Sequence, residues 1–305
     1  MDEIQKGLLK EVADLHKVPE GAYNIRANGQ MISRNTTANI DIVSKEGKSG
    51  IDIIIKPGTK KESVHIPVVL SQSGIKEMVY NDFYIGEDCD VVIVAGCGIH
   101  NSGALDSQHD GMHRFFVGKN AKVKYVEKHY GAGDGQGNRI LNPVTEVFQE
   151  AGSYMEMEMV QIRGVDSTIR TSKAVLEDGA KMVVRERLMT HGNQRASSIY
   201  EVELKGEFSS ADVISRSVAK DSSCQSFEAN IIGSNACSGH AECDAIIMDQ
   251  ARVISIPKLD ARNVDAMLIH EAAIGKIAGE QLIKLMTLGL TEEEAEERIV
   301  NGFLK

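Results

Sequence analysis

The sequence predicts an all-β body wound as a parallel β-helix, with a short helix before it and a helix pair after it. Three observations carry this. From Ala38 onward, short β-type runs at residues 40–43, 51–55, 64–70 and 91–94 are separated by Gly, Pro, Asn and Asp turns, and no long helical periodicity interrupts them before about residue 270. A looser pattern recurs on top of these runs: an apolar residue, three mostly polar ones, a small residue, then a strand. It reads IGEDCDVVIV from 85, VGKNAKVKYV from 117, FQEAGSYMEM from 148, LEDGAKMVVR from 176 and VELKGEFSSA from 202, with a related IIGSNACSGH from 231. Its small anchors, Cys89, Ala121, Gly152, Ala180, Gly206 and Ala236, lie 32, 31, 28, 26 and 30 residues apart. A sandwich gives turn signals every 8–12 residues without a longer period, whereas a solenoid repeats one supersecondary unit every 20–50 residues. Finally, an aromatic content of 5% with no Trp suits thin rungs filled by Val, Ile, Leu and Met.

The elements follow in order. Ile4, Leu8, Leu9, Val12 and Leu15 fall at helical spacing, which predicts an amphipathic helix ended by Pro19-Glu20-Gly21. The mixed segment 22–37 reads as a connector, so residues 1–37 form a helix and connector, 38–269 the β-helix and 270–305 a helical segment. A solenoid's open ends expose unpaired backbone groups; the N-terminal segment is expected to cap one end, and a partner subunit the other. After Ile277 a first helix ends near Gly289. A second opens at Thr291, with Glu294 three residues on as a capping box and Glu292, Glu293 and Glu294 at the positive end of its dipole.

Composition excludes several functions. A net charge of −10 with no basic run argues against binding to nucleic acid or anionic membranes. The acidic N-terminus does not read as a signal or transit peptide, and no run of about 18 apolar residues occurs, so a cytoplasmic chain is expected. Five scattered cysteines without a CxxC pair read as reduced thiols. A β-helix acting on carbohydrate needs paired carboxylates along one face, aromatic stacking residues and usually secretion, which makes that class remote.

Reactive side chains concentrate in Gly239–Ile277. Cys243 lies in His240-Ala-Glu242-Cys243-Asp244, and composition leaves it open between an accessible thiol and an inert core cysteine. His270 and Glu271 end an apolar run, and neighbours on an extended strand point to opposite faces, so both enter one site only if the strand turns. His109 and His113 have the spacing of a helical metal pair, but the Asp-Gly between them disfavours a helix. Gly131–Gly137, GAGDGQG, lacks the lysine of a phosphate loop and reads as a loop extending from a rung.

Four stretches, GHAECDAIIM (239–248), VDAMLIHEAAIGKI (264–277), EQLIKLMTLGLTEEEA (280–295) and IVNGF (299–303), closely resemble the SufB/SufD family of iron–sulfur cluster assembly scaffolds. The resemblance implies a right-handed parallel β-helix flanked by helical segments. It implies that Cys243, in a Cys-Asp context, accepts sulfur and holds a nascent cluster, and that His270-Glu271-Ala272 is the "HEA" of SufB rather than the "HGA" of SufD. Thiolate suits such a cluster, with carboxylate or imidazole as weaker, releasable ligands, so Cys243 and Glu271 are the expected metal ligands and His270 and His240 the subsidiary ones. The implied partners are a SufC-type ATPase on the C-terminal helices, a second copy or a SufB/SufD paralogue completing the site, and a sulfur donor. The ATPase activity belongs to SufC, and the chain itself is an assembly scaffold. A relay cysteine in a Gly-Cys context is also implied; in Tyr125–Gly131, where we look for it, His129 stands instead. The chain ends shortly after IVNGF where many relatives continue, which implies a reduced docking surface. The alternative within the family is a SufD-like structural partner that holds no cluster.

Overall fold

The computed structural model describes residues 1–13 and 19–305. As the chain winds, its strands alternate between two ten-stranded sheets, and each strand pairs with the one laid down a coil earlier, giving a β-solenoid of about eight turns. Parallel sheets are usually covered on both faces, but here one face lines the lumen and the other meets solvent. The strand Lys122–Ala132 shows the result: Val123, Tyr125, Glu127, His129 and Gly131 are buried, while the residues between them are partly exposed.

The sequence period has a structural basis, with a corrected phase. A buried small residue precedes six successive strands of one sheet, in the series Cys89, Ala121, Ser153, Ala180, Ser209 and Cys237. Each carbonyl accepts a hydrogen bond from the next coil, from Lys122, Tyr154, Lys181, Ser210, Ser238 and Met267 in turn. Gly152, Gly206 and Ala236, anchors in the sequence pattern, fall one to three residues early and lie in the turns. The turns explain the offset, because Asp88, Asn120, Gly152, Gly179 and Phe208 adopt left-handed backbone just before the buried position. The early coils are the longer ones, and their extra residues form the stacked loops at 101–106 and 133–138.

The N-terminal region departs from the expected connector. Helix α1 (Glu3–Ala13) forms where predicted, with Leu15 outside the described residues. It lies on the outer flank of the solenoid rather than over its end. Leu8 and Val12 press onto Gly96 and Gly98, and a Cβ at Gly96 would stand 2.5 Å from the Val12 carbonyl oxygen, so that approach requires glycine. Residues 22–35 form an antiparallel hairpin, Ala22–Ala27 with Gln30–Asn35, whose first strand runs parallel to Lys60–Leu70. The second strand has a solvent-facing free side and carries Gln30, Ser33 and Arg34, which is why its sequence gave no core signal. A second hairpin, Ile40–Ser44 with Gly50–Ile55, ends the other sheet. At the far end the final strand runs Met267–Gly275, past residue 269, where the β-helix was expected to stop.

Helices α2 (Gly279–Met286) and α3 (Glu292–Phe303) close the chain. Gly289, at φ +96°, follows α2 as expected, and Thr291 and Glu294 form the reciprocal capping box. Val300 and Leu304 seat α3 against Val218 on the solenoid. Helix α2 buries none of its residues and exposes Ile283, Met286 and, just beyond it, Leu288. No described helix is long and apolar enough to cross a membrane.

Candidate functional site

The side chains singled out in Gly239–Ile277 gather on two neighbouring strands at the C-terminal end of the solenoid, Ser238–Ile247 and Met267–Gly275, with Ser210–Ala219 on the other side of the first. Cys243 is inside the strand Ser238–Ile247, level with Ser215 on one neighbour and Ala272 on the other. Strand alternation turns it into the lumen with Ala241 and Ala245, at 1% exposure. Burial raises its thiol pKa, the neighbouring Ser255 hydroxyl opposes that shift although its geometry falls short of a hydrogen bond, and the carboxylates of Glu186 and Asp244 add to it. The resting group is a protected thiol.

The sheet separates the remaining candidates by face. His270 is level with Ala241 and so belongs to the lumen side with Cys243, whereas Glu271 is level with Glu242 and faces outward. The alternation argument from sequence therefore holds, because the strand does not turn between them. Among the described residues, one further strand of each sheet lies beyond Cys243, Arg252–Ala261 and Met267–Gly275, and each has a free edge. At this open end Ser255 Oγ and His270 Nδ1 are shielded from solvent yet have no hydrogen-bond partner. Leu259, level with buried Ile231, and Ile274, level with buried Ala245, are exposed there.

On the outer face, His240, Glu242 and Glu271 each bring a ligand atom within 4.8 Å of the others. His240 Nδ1 is 2.8 Å from Asp212 Oδ1, and its Nε2 is 3.5 Å from Glu271 Oε2. Burial by itself would lower the His240 pKa, but Asp212, with Glu271 and Glu242 beyond it, holds it raised. Asp212 was invisible to sequence reasoning, since its contact with His240 comes only from the register of two strands a full coil apart.

A column of polar side chains occupies the lumen behind Cys243. The Ser215 hydroxyl donates to Glu186 at 2.7 Å, and Glu186 also accepts from Ser198 and Tyr200. Arg170 lies between Glu186, at 3.8 Å, and Glu127, with which it pairs closely. Burial would raise the Glu127 pKa, but Arg170 and then His129 hold it well below the carboxylate range. His109 and His113 are on a strand, not a helix, and have separate partners, Glu77 at 2.9 Å and the Tyr125 hydroxyl at 2.8 Å. Burial keeps His113 neutral, with its pKa lowered to about 4. A Gly-Cys pair does occur one coil before the stretch in which it was sought, at Gly96-Cys97, and Cys97 is level with His129. The dipeptide was the available signal. These two residues border a cavity of about 20 Å³ together with Glu127 and His113, room for roughly one water. The 131–137 loop spends its amides on the preceding loop, Gly135 N–H to Asn101 and Gly137 N–H to Gly103, so those groups cradle no phosphate.

Comparison with known proteins gives one consistent picture. A family model described as the SufBD core domain of SUF system FeS cluster assembly matches residues 79–303. A protein named as an iron–sulfur cluster assembly SufBD family protein from Archaeoglobus fulgidus is 31% identical over 232 residues, covering 75% of this chain and 61% of that protein. Proteins of the same description from Methanocaldococcus jannaschii and Pyrococcus horikoshii are each 28% identical, over 246 and 256 residues, covering 80% and 77% of this chain and 77% and 71% of theirs.

Proposed function

This chain belongs to the SufBD family of iron–sulfur cluster assembly proteins, and from that premise we propose that it is a scaffold on which a cluster is built at the open end of the solenoid. Family membership itself carries a role in iron–sulfur cluster assembly. The finer reading rests on one observation: Cys243 lies one coil from an end where Ser255 Oγ and His270 Nδ1 are buried without partners. Seven other buried side-chain polar atoms along the described chain also lack a partner; what marks these two is their place, on the lumen side of the open end beside Cys243, and it is that place which favours an end face completed by something outside the single chain. Two free strand edges and the exposed Leu259 and Ile274 favour a second copy or a paralogue there. In that assembly Cys243 is the sulfur acceptor and thiolate ligand, with Glu271 from the outer side of the edge strand and His270 from the lumen side as labile ligands. Cys97, beside His129 and their small cavity, is the lumen thiol that would carry sulfane sulfur, attacking a donor persulfide to become a persulfide itself while the donor leaves as its thiol. The cluster is cargo, and a single thiolate per chain allows its release.

Anaerobic reconstitution with ferrous iron and sulfide tests this assignment. The wild-type chain is expected to develop an oxygen-sensitive visible chromophore, Cys243→Ala to lose it, and Glu271→Ala to hold less iron. If both variants match wild type in iron and sulfide, the site is misassigned. A chromophore absent even from wild type favours a SufD-like structural partner, a reading the opposite facing of Cys243 and Glu271 also supports.

The apolar face of α2 is the proposed dock for a SufC-type ATPase. Ile283→Asp with Met286→Asp is expected to abolish co-purification with such an ATPase while leaving the fold intact, because neither residue is buried. Undiminished co-purification would place the dock elsewhere.

A further inference from the structure

We infer that His240, Glu242 and Glu271 hold a mononuclear ferrous ion on the outer face of the sheet before Glu271 serves the cluster, at a site separate from Cys243 and with Asp212 as its positioning residue. This rests on the scaffold reading above, because that reading makes iron the cargo, and it adds where the metal is held before it meets sulfur.

Three observations carry it. The ligand atoms already converge: two donors about 2.1 Å from one ion in tetrahedral or octahedral geometry stand about 3.0–3.4 Å apart, and His240 Nε2 lies 3.5 Å from Glu271 Oε2. All three ligand atoms fall within 4.8 Å, so small rotations of half-exposed side chains close the site. The imidazole is also oriented as in a metal site, with Nδ1 held by the Asp212 carboxylate and Nε2 left to face the two glutamates. The register, moreover, sets Glu242 directly beside Glu271, a like-charge cross-strand pair; Arg216 eases Glu242 from one side, and a cation between the two carboxylates would join them. One imidazole and two carboxylates suit a borderline divalent first-row ion, with water or a partner filling the open positions. The sheet lies between this site and the Cys243 thiol, so metal and sulfur approach from opposite faces.

Cobalt(II), a spectroscopic stand-in for ferrous iron, tests the site when added anaerobically to the whole chain without sulfide. One equivalent is expected to bind with visible d–d absorption and to be displaced by ferrous iron. His240→Ala and Glu242→Gln should each weaken binding by about 10-fold or more, and Asp212→Asn by about 10–100-fold with a shifted d–d envelope as the imidazole reorients. Cys243→Ser should bind as wild type does. Unchanged binding in His240→Ala, or its loss in Cys243→Ser, would overturn the inference. Failure of the cluster assignment reads differently, as an unchanged sulfide-dependent chromophore in the Cys243 variant.

Discussion

Arg170→Met is expected to destabilise the protein by about 3–5 kcal/mol, the usual cost of leaving buried charge unpaired. Arg170 is 2% exposed, and Glu127 and Glu186 on either side of it are also buried. Methionine fills much of the same space but leaves Glu127 with His129, the Tyr125 hydroxyl and the more distant His113 in place of a guanidinium. Glu186 keeps its three hydroxyl donors and loses its cation. The sign with pH follows. In the wild type the Glu127 pKa is depressed, so its contribution is present above the unfolded-state value and is lost as pH falls through the folded one. In the variant that carboxylate prefers to be neutral, so the penalty is larger at about pH 7 than at about pH 4. Urea unfolding of both proteins at the two pH values measures this, and adding Glu127→Gln to Arg170→Met should recover part of the loss. A difference below about 1 kcal/mol at neutral pH would mean that the lumen is wetter than its packing indicates.

The second large effect concerns the open end. Leu259→Lys combined with Ile274→Lys places two ammonium groups on the lumen side of the last coil, where the proposed second copy docks. Association there is expected to weaken by about 100-fold or more, since each charge must be desolvated or the interface left unformed. Sedimentation equilibrium should then show a monomer where the wild type forms a dimer. Iron–sulfur reconstitution should fall with it although Cys243 is untouched. A wild-type chain that stays monomeric at high concentration, or a double variant that still dimerises, would remove the end face from the functional reading. Both residues are already exposed, so the monomer's own fold should survive the change.

How far the sequence can be read here depends on where each signal originates. The solenoid was legible because Cys89, Ala121 and Ala180 are small for a local reason, the tight turn into each rung, and that reason repeats. The phase slipped at Gly152 and Gly206 because glycine in the turn and a buried serine just after it look alike in a one-dimensional pattern. The hairpin at 22–35 was illegible, since its outer strand is polar and its identity comes from pairing with Lys60–Leu70 about 40 residues later. At the site, alternation alone separated His270 from Glu271. What alternation does not supply is register: the meetings of Asp212 with His240, Glu242 with Glu271 and Cys97 with His129 depend on the exact length of the intervening coil. Composition leaves Cys243 open between accessible and buried because its sequence neighbours are polar, yet they are polar because they face outward while the thiol faces in.

That inward thiol bears on timing as well as place. In a stack of coils the inner strands are held on both sides, and a strand at either end is held on one. Met267–Gly275 is such a strand, and it is the layer that covers Cys243. The smallest opening that uncovers the sulfur is therefore the peeling of one edge strand, a local event that leaves the remaining coils wound. A docked neighbour would clamp that strand. Assembly state would then set how often the thiol is exposed, and the solenoid's unfinished end would serve as its latch.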